Sequence, residues 1–126
     1  MKLLIVVTHL LGSGHLSRAL TLGRAFVDVG HQVSIISGGI PVPQLDHSGV
    51  ELVQLPPLRS DGVNFTKLLD DDGKVATQSY LEARQTMLTD TLERLRPDVL
   101  ITELFPFGRR SLKQEFQTLL QHAKDI

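Results

Sequence analysis

The stretch Leu3-Leu4-Ile5-Val6-Val7, followed closely by Gly12-Ser13-Gly14-His15-Leu16-Ser17-Arg18, decides the fold of this chain. The first stretch is continuously apolar, which predicts a strand over residues 2–8 that is buried on both faces, as in a parallel sheet. Apolar residues at helical spacing then predict a helix over residues 15–29. A strand, a glycine turn and a helix in this order indicate the first unit of an α/β sheet.

The rest of the chain continues the alternation of strands and helices. Strands are predicted over residues 31–37, 50–55 and 99–101, and helices over residues 75–95 and 110–123, with a turn over residues 105–108. Arg84, Leu88 and Leu92 share one face of the second helix, and Pro97 ends that helix. This pattern predicts an α/β, Rossmann-like open parallel sheet with helices on both faces and the strand order 3-2-1-4. The last helix needs a crossover to another strand, so residues 1–126 are expected to form a single domain truncated before later strands.

The composition of the chain limits the classes of protein to which it can belong. The chain has 126 residues, enough for one domain, and its formal net charge of −1 argues against a nucleic-acid partner. It has no cysteine, which excludes disulfides and thiolate metal sites and fits a cytoplasmic location. No apolar run reaches the ~18 residues of a membrane span. Nothing in the sequence requires a metal or a cofactor.

The glycine loop after the first strand is the main candidate binding site. Backbone N–H groups at a helix N-terminus are unpaired and lie at the positive end of the helix dipole, so Gly12, Ser13 and Gly14 are predicted to hold phosphate or acceptor oxygens. The alternative is ordinary turn chemistry. A dinucleotide fingerprint would need a glycine where Ser17 stands and an acid within residues 32–39, and both are missing.

His15 is the candidate catalytic residue. It lies in the first helical turn, where the helix dipole disfavours the imidazolium form, and a neutral imidazole can act as a general base. The alternative is a solvated or capping histidine. Arg18 lies one turn further, facing either the crevice or the solvent. The other histidines, at positions 9, 31, 47 and 122, are interpreted as loop, structural or solvated residues.

Glu103 follows the fourth strand at its carboxyl end. Open parallel sheets bind ligands beyond these ends, near the point where the strand order reverses. In the order 3-2-1-4 the first and fourth strands flank this point, so Glu103 is predicted to lie near the glycine loop. There it could orient His15, as in acid–histidine relays, or it could simply cap the next segment.

Two other charged segments receive structural interpretations. Asp70-Asp71-Asp72-Gly73 lacks carboxylates at the first and last ligand positions of a calcium loop and is interpreted as a solvated acidic loop. Arg109-Arg110 is interpreted as a surface pair, with phosphate binding as the alternative.

The glycine loop and its surroundings resemble a known family. Gly12 to Ala19, Leu22 to Ala25 and Gly30 to Val33 resemble the N-terminal half of GT-B glycosyltransferases, especially the family 28 group that includes the peptidoglycan N-acetylglucosaminyltransferase. The form G-x-G-H-x-x-R is also similar to a nucleotide-sugar hydrolase of the pseudaminic acid pathway. The resemblance is clear over residues 1–40 and loose over residues 97–108.

The resemblance implies a two-domain enzyme whose N-terminal half binds the acceptor and whose other half binds the nucleotide-sugar donor. It implies that His15 is the base acting on the acceptor hydroxyl and that Glu103 orients it, although these families usually carry Asp there. The donor half has no counterpart in these residues, so the chain alone is expected to be inactive. A nucleotide-sugar hydrolase domain and a non-enzymatic phosphate- or nucleotide-binding module are the alternatives.

Two further kinds of contact are expected. Some acceptors in the group are lipid-linked, so the domain could contact a membrane peripherally. The open edge of the sheet also offers a surface for self-association.

Overall fold

A four-stranded parallel sheet forms the centre of the fold. The computed structural model describes residues 1–10, 12–60, 62, 68–103 and 112–125. In chain order, the elements within these residues are β1 (Lys2–Val7), α1 (Gly14–Asp28), β2 (Gln32–Ser37), β3 (Val50–Gln54), α2 (Gln78–Leu95), β4 (Val99–Thr102) and α3 (Lys113–Lys124). Within this described part, no helix is long and apolar enough to cross a membrane.

The strand order is β3-β2-β1-β4, and every pair of neighbouring strands is parallel. In the register, Leu4 of β1 lies opposite Ser34 of β2 on one side and Leu100 of β4 on the other. The Rossmann-like fold class and the order 3-2-1-4 are therefore confirmed. Because β1 and β4 are neighbours, the chain segments that follow their carboxyl ends emerge side by side.

Both faces of the sheet are covered by helices. Alternate residues of β1 pack against the buried stripe of α1 on one face, and the remaining ones pack against α2 and α3 on the other. The first cluster includes Leu3, Ile5, Val7, Leu16, Ala19 and Leu20, and the second includes Leu4, Val6, Leu88, Leu92, Phe116 and Leu119. Burial on both faces explains why β1 is continuously apolar rather than alternating.

Helix boundaries differ from the predicted ones for identifiable reasons. α2 begins at Gln78 rather than at residue 75 because the Thr77 hydroxyl caps it, accepting a hydrogen bond of 3.1 Å from the Tyr80 N–H. Its C-cap, Arg96, adopts a left-handed conformation (φ 45°) just before Pro97. α3 is described over Lys113–Lys124, and residues 110 and 111, where the predicted helix begins, lie outside the described residues. The predicted turn over residues 105–108 and the Arg109-Arg110 pair lie outside the described residues.

The polar stretch after β3 is anchored by local hydrogen bonds. Arg59 and Leu69 exchange two backbone hydrogen bonds of 3.0 and 2.9 Å. The Asp70 carboxylate accepts hydrogen bonds from the N–H groups of Asp72 and Lys74, at 2.9 and 3.0 Å, and so closes the acidic turn. Asp70 therefore has a structural role in this turn.

Candidate functional site

The first turn of α1 and the residue after β4 meet at the carboxyl edge of the sheet. Nδ1 of His15 lies 3.1 Å from Oε1 of Glu103, although the two residues are 88 positions apart in the chain. The His15 and Glu103 side chains are 28% and 25% exposed, so both reach the surface without being fully solvated. The structure thus brings together the two residues predicted to act together.

Arg18 completes a three-residue cluster. Its Nη2 lies 2.5 Å from His15 Nδ1 and 3.4 Å from Glu103 Oε1. Its side chain is 66% exposed, far more than those of its two neighbours. Of the two orientations predicted for Arg18, toward the crevice or toward solvent, the structure shows a largely solvent-exposed side chain whose Nη2 contacts His15 and Glu103.

The glycine loop leaves the helix N-terminus uncovered. Gly12 has a φ of +71°, a conformation that side chains rarely adopt, which accounts for glycine at this turn. Ser13 is the N-cap of α1, but its side chain makes no capping hydrogen bond, and no acidic residue lies in the first turn. A Cβ atom on Gly14 would meet no heavy atom within 4 Å. The first-turn N–H groups therefore border open space in the described structure, where an anionic oxygen could bind.

A buried ion pair between α2 and α3 was not predicted. Nε and Nη2 of Arg84 donate to the two carboxylate oxygens of Glu115, at 3.1 and 3.0 Å. Nη1 of Arg84 donates to the carbonyl oxygens of Gly38, at 2.8 Å, and of Pro56. The Arg84 side chain is fully buried, so it ties both helices to the loops that follow β2 and β3. Its position among leucines at helical spacing was the sequence signal for this burial.

Close packing surrounds the Arg84 guanidinium. A Cβ atom on Gly38 would lie 2.2 Å from Thr8 Oγ1 and 2.7 Å from Arg84 Nη2, so only glycine fits there. Nearby, the Tyr80 hydroxyl donates a hydrogen bond of 2.6 Å to the Pro57 carbonyl, and burial raises the pKa of Tyr80. These contacts tie the start of the polar stretch, at Pro56 and Pro57, to α2.

His9 and His31 make contacts outside the His15 cluster. His9 is buried rather than exposed in a loop, and its Nε2 lies 2.8 Å from the Ile40 carbonyl oxygen. His31 lies at the opposite, amino edge of the sheet, where its Nδ1 contacts the N-terminal amine of Met1 at 3.1 Å. A groove of about 500 Å³ opens at that amino edge, lined in part by Glu51 and Arg94. It lies away from the cluster and contains none of the predicted site residues.

The described residues do not form a candidate metal site. Among them, no group of three or more His, Asp or Glu side chains could hold a metal ion.

Comparison with known proteins finds a similar fold in solved glycosyltransferase structures. No family model matches the sequence, and no curated protein matches it significantly. Among solved structures, Phytolacca americana UGT2 complexed with UDP-2fluoro-glucose and pterostilbene is 21% identical with a TM-score of 0.53, covering 92% of this chain. The apo form of that protein is 16% identical with a TM-score of 0.53, covering 93% of this chain. Glycosyltransferase VinC in complex with DTDP is 17% identical with a TM-score of 0.46, covering 99% of this chain.

The matched region is only part of each of these proteins. The chain corresponds to 28% of the UGT2 chains and to 38% of VinC. At these identities the similarity shows a shared fold. The chain therefore has a glycosyltransferase-like α/β fold, whereas the family 28 assignment has no support among these neighbours.

Proposed function

We propose that this chain is the acceptor-binding domain of a glycosyltransferase that moves a sugar from a nucleotide-sugar to an acceptor hydroxyl. The observation that carries the proposal is the 3.1 Å contact between His15 and Glu103 beside an uncapped helix N-terminus. The glycosyltransferase-like fold supports it, because ligands of open α/β sheets bind at this carboxyl edge.

In the proposed reaction, His15 removes a proton from the acceptor hydroxyl. Glu103 is a positioning residue that accepts a hydrogen bond from Nδ1–H of His15 and leaves the lone pair of Nε2 directed at the hydroxyl. The acceptor oxygen forms a bond to the anomeric carbon, and the bond from that carbon to the nucleoside diphosphate breaks, with its electron pair leaving on the phosphate oxygen. The donor would bind to a second half outside these 126 residues, as the greater length of the structural neighbours suggests.

The Gly12–Gly14 loop would hold acceptor or phosphate oxygens through its N–H groups. Gly14→Ala tests this role without disturbing the fold, because its Cβ meets no heavy atom within 4 Å in the protein. We expect unfolding by urea to be nearly unchanged. Alanine keeps the backbone N–H, but its Cβ would occupy the open space beside the loop and hold a phosphate away from the N–H groups. Affinity for inorganic phosphate, measured by calorimetry, should therefore fall by about tenfold, the scale of one weakened hydrogen bond to a charged group. Unchanged phosphate affinity would remove the loop from the binding site.

Product analysis tests the proposed reaction. The complete protein is incubated with UDP-glucose or dTDP-glucose and a panel of hydroxyl acceptors, and the products are separated. We expect a new glycoside together with free nucleoside diphosphate. Free sugar in place of a glycoside would indicate a nucleotide-sugar hydrolase.

Calorimetric titration of residues 1–126 with UDP and dTDP distinguishes the third alternative. We expect weak binding, because the proposal assigns the nucleotide to the other half. Tight binding by this chain alone would indicate a nucleotide-binding module instead.

The open sheet edge remains a candidate for self-association. β4 is one of the two edge strands of the described sheet, and its first residue, Val99, is 36% exposed. A further strand, from this protein or from a second copy, could pair there.

A further inference from the structure

In the His15–Arg18–Glu103 cluster, a hydrogen-bond donor and a hydrogen-bond acceptor both contact the same ring nitrogen. Nδ1 of His15 lies 2.5 Å from a guanidinium nitrogen of Arg18 and 3.1 Å from a carboxylate oxygen of Glu103. A guanidinium only donates hydrogen bonds, and an ionised carboxylate only accepts them. Nδ1 must therefore be bare to bond Arg18 and protonated to bond Glu103, and it cannot do both at once.

The two arrangements correspond to the two tautomers of the neutral ring. When Arg18 donates to Nδ1, the ring proton resides on Nε2, and Nε2 cannot accept a proton from an acceptor hydroxyl. When Nδ1–H donates to Glu103, Nε2 carries a lone pair and can act as a base. Within the described residues, Nε2 of His15 has no hydrogen-bond partner, so only the Nδ1 contacts select the tautomer.

Arg18 is the member of the cluster that a ligand can reach. Its side chain is 66% exposed, compared with 28% for His15 and 25% for Glu103. It lies one turn from the uncapped N-terminus of α1, where a phosphate-type anion would be attracted by unpaired N–H groups. Guanidinium–phosphate hydrogen bonds are among the strong, charge-assisted ones, so such an anion would compete effectively with an imidazole nitrogen for Arg18.

We infer that Arg18 sets which nitrogen of His15 carries the ring proton, and that a phosphate-type anion arriving with the acceptor withdraws Arg18 and converts His15 to the base form. This inference rests on the proposed function for its significance. The tautomer switch itself is a property of these three side chains. The acceptor substrate class that follows is one with an anionic group close to the reacting hydroxyl.

The test is ¹⁵N NMR of the histidine rings, recorded where the His15 ring is neutral. Without added anion, we expect the tautomer with the proton on Nε2 to predominate at His15. Inorganic phosphate should shift the ratio toward the Nδ1–H tautomer by about tenfold, the scale of one charge-assisted hydrogen bond. Sodium chloride at equal ionic strength should leave the ratio unchanged. His122, which contacts only a carbonyl oxygen of its own helix in the described structure, is the internal control.

Two variants separate the contributions of the partners. Arg18→Met keeps an apolar stem without a donor, so the Nδ1–H tautomer should predominate before phosphate is added, with no further response. Glu103→Met removes the hydrogen-bond acceptor for Nδ1–H, so phosphate should no longer produce the switch. The inference would be overturned if phosphate left the tautomer ratio of the wild type unchanged. It would also be overturned if Arg18→Met had the same tautomer ratio as the wild type.

A titration with UDP distinguishes the source of the anion. A response to UDP without a response to inorganic phosphate would overturn the assignment to the acceptor. Because the readout is a tautomer ratio rather than turnover, the experiment can contradict the tautomer switch in a protein that does transfer sugar. It can equally succeed in a protein that transfers no sugar, so the two proposals fail separately.

Discussion

Replacing Arg84 by methionine is expected to lower the free energy of unfolding by about 3–5 kcal/mol, because removing one partner of a buried ion pair leaves the other charge buried and uncompensated. Arg84 is 0% exposed and Glu115 is 9% exposed, so water cannot replace the lost partner. The carbonyl oxygens of Gly38 and Pro56 would lose a donor as well. Urea unfolding of both proteins measures the difference. A loss of this size is a large fraction of the roughly 5–15 kcal/mol that stabilises a typical domain.

A second arginine on the same helix provides the matched control. Arg94 forms an ion pair of 2.7 Å with Glu51, but these side chains are 56% and 46% exposed. Arg94→Met should therefore cost less than about 1 kcal/mol. The double variant Arg84→Met with Glu115→Met should regain only part of the loss, because the Pro56 carbonyl oxygen loses the Arg84 donor and the Gly38 oxygen keeps only its bond from the Leu58 N–H. Equal losses for the two single arginine variants would contradict a buried role for Arg84.

Replacing His15 by alanine should reduce kcat for sugar transfer by about 100-fold or more, the scale of a lost general base. The measurement is release of nucleoside diphosphate from UDP-glucose by the complete protein in the presence of an acceptor. Urea unfolding should change little, because the His15 side chain is 28% exposed and lies at the edge of the fold. The loss should appear in kcat rather than in the affinity for the donor, which the proposal assigns to the other half.

His31→Ala is the control for the His15 variant. His31 lies at the amino edge of the sheet, so removing its ring should leave kcat within a small factor of the wild-type value. Near-normal turnover by His15→Ala would remove this histidine from the mechanism. Glu103→Gln should give a smaller loss than His15→Ala, because Glu103 positions the base and does not touch the acceptor.

The fold was predictable because its signals are local. A continuously apolar first strand, a glycine turn and an amphipathic helix each depend on neighbouring residues, and the alternation of strands and helices leaves few topologies. The predicted boundaries were off by up to three residues where a cap decided the start, as at Thr77. The strand order then followed from the general layout of open α/β sheets.

The candidate site was predictable only in part. The meeting of His15 and Glu103 follows from the strand order, because neighbouring parallel strands end at the same edge. The contact of Arg18 with both of them depends on side-chain orientation, which spacing along a helix does not specify. The burial of His9 and the neighbourhood of Gly38 likewise depend on how separate loops pack.

The amino-acid sequence by itself determined the α/β class, the order of the strands and the position of a glycine loop and helix N-terminus after β1. Only the tertiary structure decided that Arg84 forms a buried pair with Glu115, 31 residues away, and that one nitrogen of His15 faces two competing partners. The physical reason is the separation along the chain over which each kind of interaction acts. Hydrophobic periodicity and glycine conformations act between neighbours in the chain, whereas ion pairs and ring tautomers depend on which distant side chains the packed core brings within hydrogen-bonding distance.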